Sequence, residues 1–145
     1  MNMNMIDTIK LSAIALTATF GLGIAANAQN ATPAPQMPPA STKTSVTYDT
    51  DIKTILDASC TKCHSGNQPK ARLKLDSLEG LLKGSKSGSI LKTNDSANSL
   101  VVKSVAHLTG DRDLWMPPLN NRDGIKPLTP EQIGLIRAWI DQGAK

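Results

Sequence analysis

Both cysteines of the 145-residue chain and one of its two histidines fall within Cys60-Thr61-Lys62-Cys63-His64. Two thiols three positions apart on a helical turn are spaced to form thioethers with the two vinyl groups on one edge of a haem. The histidine that follows is carried beneath the iron as an axial ligand. Three other readings use the same residues. A thioredoxin-like dithiol would follow a strand in a βαβ pattern, and the residues before Cys60 carry a helical pattern instead. A structural zinc site takes four ligands, for which the chain offers only Cys60, Cys63, His64 and His107, with no second paired motif. A Cys60–Cys63 disulfide would close too small a loop to constrain the unfolded chain much. Covalent haem attachment is the most specific of the four.

A haem held by His64 leaves a sixth iron position, and its occupant decides between electron transfer and ligand chemistry. Beyond the N-terminal residues, methionine occurs only at Met37, in a proline-rich stretch, and at Met116. Pro117 and Pro118 restrict the backbone after Met116 and bias Met116 itself toward an extended conformation, which presents its side chain at low entropic cost. A thioether ligand favours Fe(II) and raises the potential, as suits an electron carrier. His107 is the rival ligand and would give a bis-histidine centre. Without any ligand role Met116 is a core residue filling a gap. Trp115 beside it reads first as a packing residue and second as a wall of the haem pocket or a place where electrons enter. Lys62, Lys70, Arg72 and Lys74 flank the motif and would steer an acidic partner, with plain solvation as the alternative.

Short helices must position these groups. Ile52, Ile55 and Leu56 recur at i, i+3, i+4, which predicts a helix from Tyr48 to Ala58, capped by Asp49 or Thr50 and leading into the motif. Ser65 to Lys74 reads as a loop from which Leu73 and Leu75 turn inward. Asp76 is the expected cap of a helix from Ser77 to Lys83 that stops at Gly84. Ser85 to Asn94 is rich in Gly, Ser and Lys and is expected to be an exposed loop. Ser96 or Ser99 then caps a helix reaching about Leu108, with Leu100, Val101, Val105 and Leu108 on one face. Thr109 to Leu128 carries Pro117, Pro118, Gly124 and Pro127 and no periodicity, and so long a loop in a small domain is usually functional. The clearest helix follows: Thr129 as N-cap, Pro130 at the first position, Gln132 at the capping-box position, Ile133, Ile136, Trp139 and Ile140 on one face, and Gly143 as the C-cap. No strand pattern and no repeat is present, so the domain is expected to be all-α, with about four short helices and long irregular loops.

The remaining sequence bounds the organisation. Residues 1–28 read as a secretory signal peptide: Lys10, an apolar run from Leu11 to about Ala26, and the small-x-small site Ala26-Asn27-Ala28. The run is too short for a spanning helix, and an uncleaved N-terminal anchor is the alternative because Asp7 offsets Lys10. Residues 29–46 have the composition of a disordered Pro-rich linker, leaving 47–145 as one domain with a small apolar core. Aromatic residues are scarce there, and a haem would supply core volume that side chains do not. The net charge of +4 is unchanged by loss of Asp7 and Lys10. It is dispersed and forms no nucleic-acid-binding stripe.

Taken in order, a short helix, Cys60-x-x-Cys63-His64, Met116-Pro117-Pro118 and the terminal Leu128-Thr129-x-Glu131-Gln132 run through Trp139 to Gly143-Ala144 resemble a small class I cytochrome c, and most of all the planctomycete-type cytochrome c domain. Asp51-Ile52, Ile55-Leu56, Leu73-Lys74-Leu75-Asp76 and Ser99-Leu100 are similar local marks, and the likeness spans Tyr48 to Ala144. The resemblance implies a cytochrome c fold around one covalent haem c, in which the first and last helices cross so that Ile136, Trp139 and Ile140 pack on Ile52, Ile55 and Leu56. It implies a monohaem one-electron carrier, not an enzyme. Cys60 and Cys63 would be the covalent attachment points, and His64 and Met116 the axial ligands. The setting would be the periplasm, with redox proteins as partners, no nucleic acid and no stable membrane span after signal cleavage. A haem enzyme or sensor with an open or displaceable sixth site is the alternative, together with the bis-histidine cytochrome using His107.

Overall fold

A computed structural model of the chain describes residues 35–145. The expected signal peptide and the first residues of the expected linker lie outside them. Four α-helices form: α1 (Lys53–Ser59), α2 (Leu78–Lys83), α3 (Leu100–Val105) and α4 (Pro130–Asp141). Single turns stand between them at Lys70–Arg72, Ser96–Asn98 and Arg112–Leu114, and a π-helical turn at Tyr48–Ile52 runs directly into α1. Among the described residues the only β pairing is an isolated bridge between Ser85 and Gly88, so the all-α expectation holds for them.

Local chemistry accounts for the boundaries, including those that differ from expectation. The first turn is capped by Thr47, not by Asp49 or Thr50. Thr47 is extended and its hydroxyl accepts from the Thr50 amide, while Asp51 reaches back to accept from the Thr47 amide at 3.0 Å. This is the reciprocal logic of a capping box, one position displaced. Likewise Ser77, rather than Asp76, caps α2 by accepting from the Gly80 amide at 3.1 Å. Gly80 is required there, since a Cβ would stand 2.7 Å from Lys74 Cβ.

Helix α3 is shorter than its apolar periodicity suggests. The Leu108 amide donates to Lys103 O at 2.8 Å and the His107 amide to Ser104 O at 3.2 Å, a Schellman ending in which His107, at φ +56°, takes the left-handed position usually given to glycine. Helix α4 forms as its capping signals require, with the full Thr129/Gln132 capping box. It ends in a second Schellman pair, from Gly143 to Ile140 O and from Ala144 to Trp139 O, each 3.0 Å. Gln142 is therefore the C-cap and Gly143 the residue beyond it.

The buried face of α4 (Ile133, Ile136, Trp139, Ile140) meets the Tyr48–Ile52 turn, the Ser96–Asn98 turn and α3. Tyr48 and Trp139 lie with ring centroids 6.1 Å apart. Most of Ser85 to Asn94 is an exposed loop as expected, but Ile90 and Leu91 within it are buried. The Ile90 carbonyl accepts from the Val101 amide and the Lys92 amide donates to Ser99 Oγ, both at 2.9 Å, so the segment is drawn under α3.

A larger correction concerns the expected disordered linker of residues 29–46. Where it is described, it runs along α4. The Ser41 amide donates to Gly134 O at 2.9 Å, Arg137 donates to Pro38 O, Gln142 Nε2 donates to Lys43 O at 2.7 Å, and the Val46 amide donates to Gln142 Oε1 at 3.1 Å. A Cβ on Gly134 would meet Pro39 O at 2.8 Å, and Met37 packs on the core. Proline removes donors but not carbonyls: the Pro38 and Lys43 carbonyls accept from α4 side chains, while the non-proline Ser41 and Val46 amides donate.

Candidate functional site

The Cys60–His64 motif continues the turn of α1. The Cys60 amide donates to Leu56 O at 2.7 Å, and the Cys63 and His64 amides donate to Cys60 O at 3.1 and 3.0 Å. The chain then returns past the motif. The Lys70 amide donates to Cys63 O at 3.0 Å and the Leu75 amide to His64 O at 2.7 Å, which turns Leu73 and Leu75 inward as expected. His64 is 9% exposed and its ring Nδ1 lies 3.1 Å from the carbonyl of Lys70. A carbonyl only accepts, so Nδ1 carries the proton and Nε2 keeps its lone pair. Burial lowers the pKa of His64, against smaller opposing effects of the Lys70 and Leu73 backbone, and favours that neutral ring.

Cys60 and Cys63 are free thiols. Burial, with a further contribution from Cys63, pushes Cys60 up to about 11. A thiol held protonated in this way is a poor participant in thiol–disulfide exchange, which needs the thiolate. Among the described residues no group of three or more His, Cys, Asp or Glu side chains gathers as for a metal ion, so the four residues of the zinc alternative are not assembled.

A cavity of about 590 Å³ opens beside the motif, within the range of roughly 300–1,000 Å³ usual for cofactor and ligand sites. Cys60, Cys63 and His64 line it, and so does Met116, together with apolar walls from Leu56, Leu73, Leu75, Ile90, Val105 and Ile136. The Met116 amide donates to Ser104 O in α3 at 3.0 Å, and the Met116–Pro117 peptide is cis. Beyond Met116, Asn121 organises its own loop: Oδ1 accepts from the Ile125 amide at 2.7 Å and Nδ2 donates to the carbonyls of Pro118 and Ile125. The fold thus brings together all four site residues named from the sequence.

His107 and Trp115 do not line this cavity. Their rings stack on each other at 4.9 Å and 4°, Trp115 Nε1 donates to Thr109 O at 3.2 Å, and the Arg112 guanidinium lies 5.2 Å from the indole. Trp115 is a packing residue of the loop, and the structure does not bring His107 to the position the bis-histidine reading needs. The basic residues divide. Lys62 pairs with Asp123 at 2.9 Å, Lys70 lines the large cavity, and Arg72 and Lys74 line a second one. Sequence reasoning missed the Lys70 carbonyl as the partner of His64 and the polar rim at Lys86 and Arg122. A carbonyl leaves no mark in a sequence, and charged loop residues read as solvated by default.

Residues 60–120 match the family model described as Planctomycete cytochrome C. The match covers less than half of the chain and includes the Cys60–His64 motif and Met116. A solved structure described as Kuenenia stuttgartiensis Hydrazine Synthase is 26% identical over 69% of this chain, with a TM-score of 0.45. The aligned region is 16% of that structure's chain. No curated protein sequence matches the chain significantly. Among the described residues no helix is long and apolar enough to cross a membrane.

Proposed function

We propose that the chain is a monohaem c-type cytochrome of the periplasm that carries single electrons between redox proteins and is not itself an enzyme. The observation that carries this reading is the cavity that gathers Cys60, Cys63, His64 and Met116. The residues fit a covalently held haem: two thiols at one edge, a buried neutral imidazole with its Nε2 unprotonated, a thioether on the lining, and apolar walls elsewhere. When bound, the haem iron supplies a one-electron Fe(III)/Fe(II) couple.

The chain's own groups define that couple. Cys60 and Cys63 would hold the macrocycle through thioethers, so that it cannot leave on oxidation or reduction. His64 would donate Nε2 to iron, and its Nδ1–H bond to Lys70 O fixes the tautomer and ring plane in the manner of the outer partners of metal-bound histidines. Met116 would give the softer sixth ligand and a raised potential. Leu73, Leu75, Ile90, Val105 and Ile136 exclude water, which limits the reorganisation that accompanies each change of charge. Lys70 and Lys86 at the rim favour a partner with an acidic docking surface. Residues 1–28 would direct export.

The test is a pyridine haemochrome spectrum and intact mass of protein exported from a host that matures c-type cytochromes. One haem per chain with two thioether links, and a sulfur-to-iron charge-transfer band in the oxidised form, is the expected result. An apo mass two protons light, showing a Cys60–Cys63 disulfide, would sink the proposal. Rapid carbon monoxide or cyanide binding by the unmodified protein would move it to a haem with an open sixth position.

A further inference from the structure

The chain's positive charge is not spread evenly. Residues 60–92 hold seven basic side chains against Asp76 and Glu79, whereas residues 93–145 hold six of each sign. Part of the excess converges on a second cavity of about 440 Å³, lined by Asn67, Gln68, Pro69, Arg72, Lys74, Gly80, Lys83 and Gly84. No carboxylate lines it. Arg72, Lys74 and Lys83 each approach it from a different segment: the Lys70–Arg72 turn, the strand-like return before α2, and the last turn of α2. None of the three is ion-paired with a carboxylate among the described residues. Two amide side chains add uncharged donors.

The backbone shapes this hollow deliberately. Gly80 lets α2 close on Lys74, where a Cβ would stand 2.8 Å from the Lys74 carbonyl, and Gly84, at φ +84°, turns the chain where a Cβ would meet Gly88 O at 2.5 Å. Ala71 and Arg72 both hold left-handed conformations, at φ +57° and +54°, which cost free energy in residues with a Cβ. Three unneutralised cations held around one concavity raise a local positive potential. A planar guanidinium among them gives bidentate recognition of an oxyanion that lysine alone would not.

We propose that this second cavity is a binding site for a small polyanion, an oxyanion carrying two or more negative charges, with Arg72 as the bidentate partner and Lys74 and Lys83 as flanking charges. Pro69 and Arg72, which line this cavity, flank Lys70 and Ala71, which line the large cavity, and the Lys70 carbonyl accepts the His64 Nδ1 proton. On the reading given under Proposed function, the short segment shared by the two cavities couples them, so the bound anion binds the oxidised protein more tightly than the reduced one and by linkage lowers the potential.

The test is calorimetric titration of the exported, haem-loaded protein with inorganic pyrophosphate and, separately, citrate, at low ionic strength. Haem content is measured beforehand, so a failure of the cytochrome reading shows there and not in the titration. Saturable one-to-one binding that weakens at least tenfold in Arg72→Gln/Lys83→Gln, and less than twofold in the distant Lys126→Gln, is the expected result. Preference for pyrophosphate would identify phosphate groups as the ligand chemistry, and preference for citrate carboxylates. Absence of saturable binding of either, or equal weakening in all variants, would overturn the site. Equal affinity for oxidised and reduced protein would overturn its coupling to His64.

Discussion

On the His64 wall of the large cavity, three hydrogen bonds to backbone tie the motif to the returning chain: Lys70 to Cys63, Leu75 to His64, and the His64 ring to Lys70. On the Met116 wall one backbone bond, to Ser104, anchors the residue. The loop beyond is held by the side chain of Asn121 and by an ion pair whose lysine and aspartate side chains are 60% and 39% exposed. Of the three bonds in the first wall, two are main-chain bonds that side-chain exchange hardly touches, and the third belongs to the His64 ring itself. The second wall is a loop folded on itself and leaning against α3. One proposed ligand is thus built in by the fold, and the other would be presented by a part that opens locally at lower cost.

The largest test of that contrast is His64→Ala. It should lower haem content of the exported protein by more than ~10-fold, at least the loss seen when only an outer partner of a metal ligand is removed; near-normal content would mean that the first wall is not the primary anchor. Met116→Ala should retain covalent haem but lose the sulfur-to-iron band, lower the potential and admit carbon monoxide. Because Met116 is only half-buried, its stability cost should be about 1–2 kcal/mol, below the 2–5 typical of fully buried methionines. An unchanged spectrum would remove Met116 from the iron.

Asn121→Ala strips three hydrogen bonds from the loop, and about 1–2 kcal/mol should follow from the donors and acceptors left without partners. The effect should show as faster amide exchange at Ile125 with Leu75 unaffected. Equal acceleration at both would mean that the two walls open as one unit. Smallest is Asp123→Asn. An exposed pair is worth roughly 0–1 kcal/mol, so carbon monoxide binding to the Met116→Ala background should quicken by no more than a few-fold, and not at all in high salt.

How much of this could be read from the chain varies with the kind of bond involved. Helix α4 announced itself because Thr129, Pro130, Gln132 and the apolar stripe all report local physics, and local physics decides such a helix. That Cys60, Cys63, His64 and Met116 would meet at one cavity was legible because three of them share one five-residue motif, and because no other methionine lay in a plausible place. The docking of residues 36–46 was not legible, since prolines and small polar residues look like a linker and the partners that hold them, Gly134, Arg137 and Gln142, lie about a hundred residues away. The early end of α3 was hidden for a related reason. Its terminator is His107 in a left-handed conformation, and nothing but the finished turn marks a histidine for that duty.

The contact between Pro38 and Arg137 spans 99 positions, and that between Val46 and Gln142 spans 96. A chain made from its N-terminus cannot close either of them until α4 has been made. The segment around Pro38 therefore waits for α4, while α1 and the motif behind it depend on nearer neighbours and are free to form first. Loop closure of this length comes late because the entropy is lost before the contact returns anything. Replacing Gln142 with alanine would release Lys43 and Val46, which makes the end of α4 the clasp of the segment before α1.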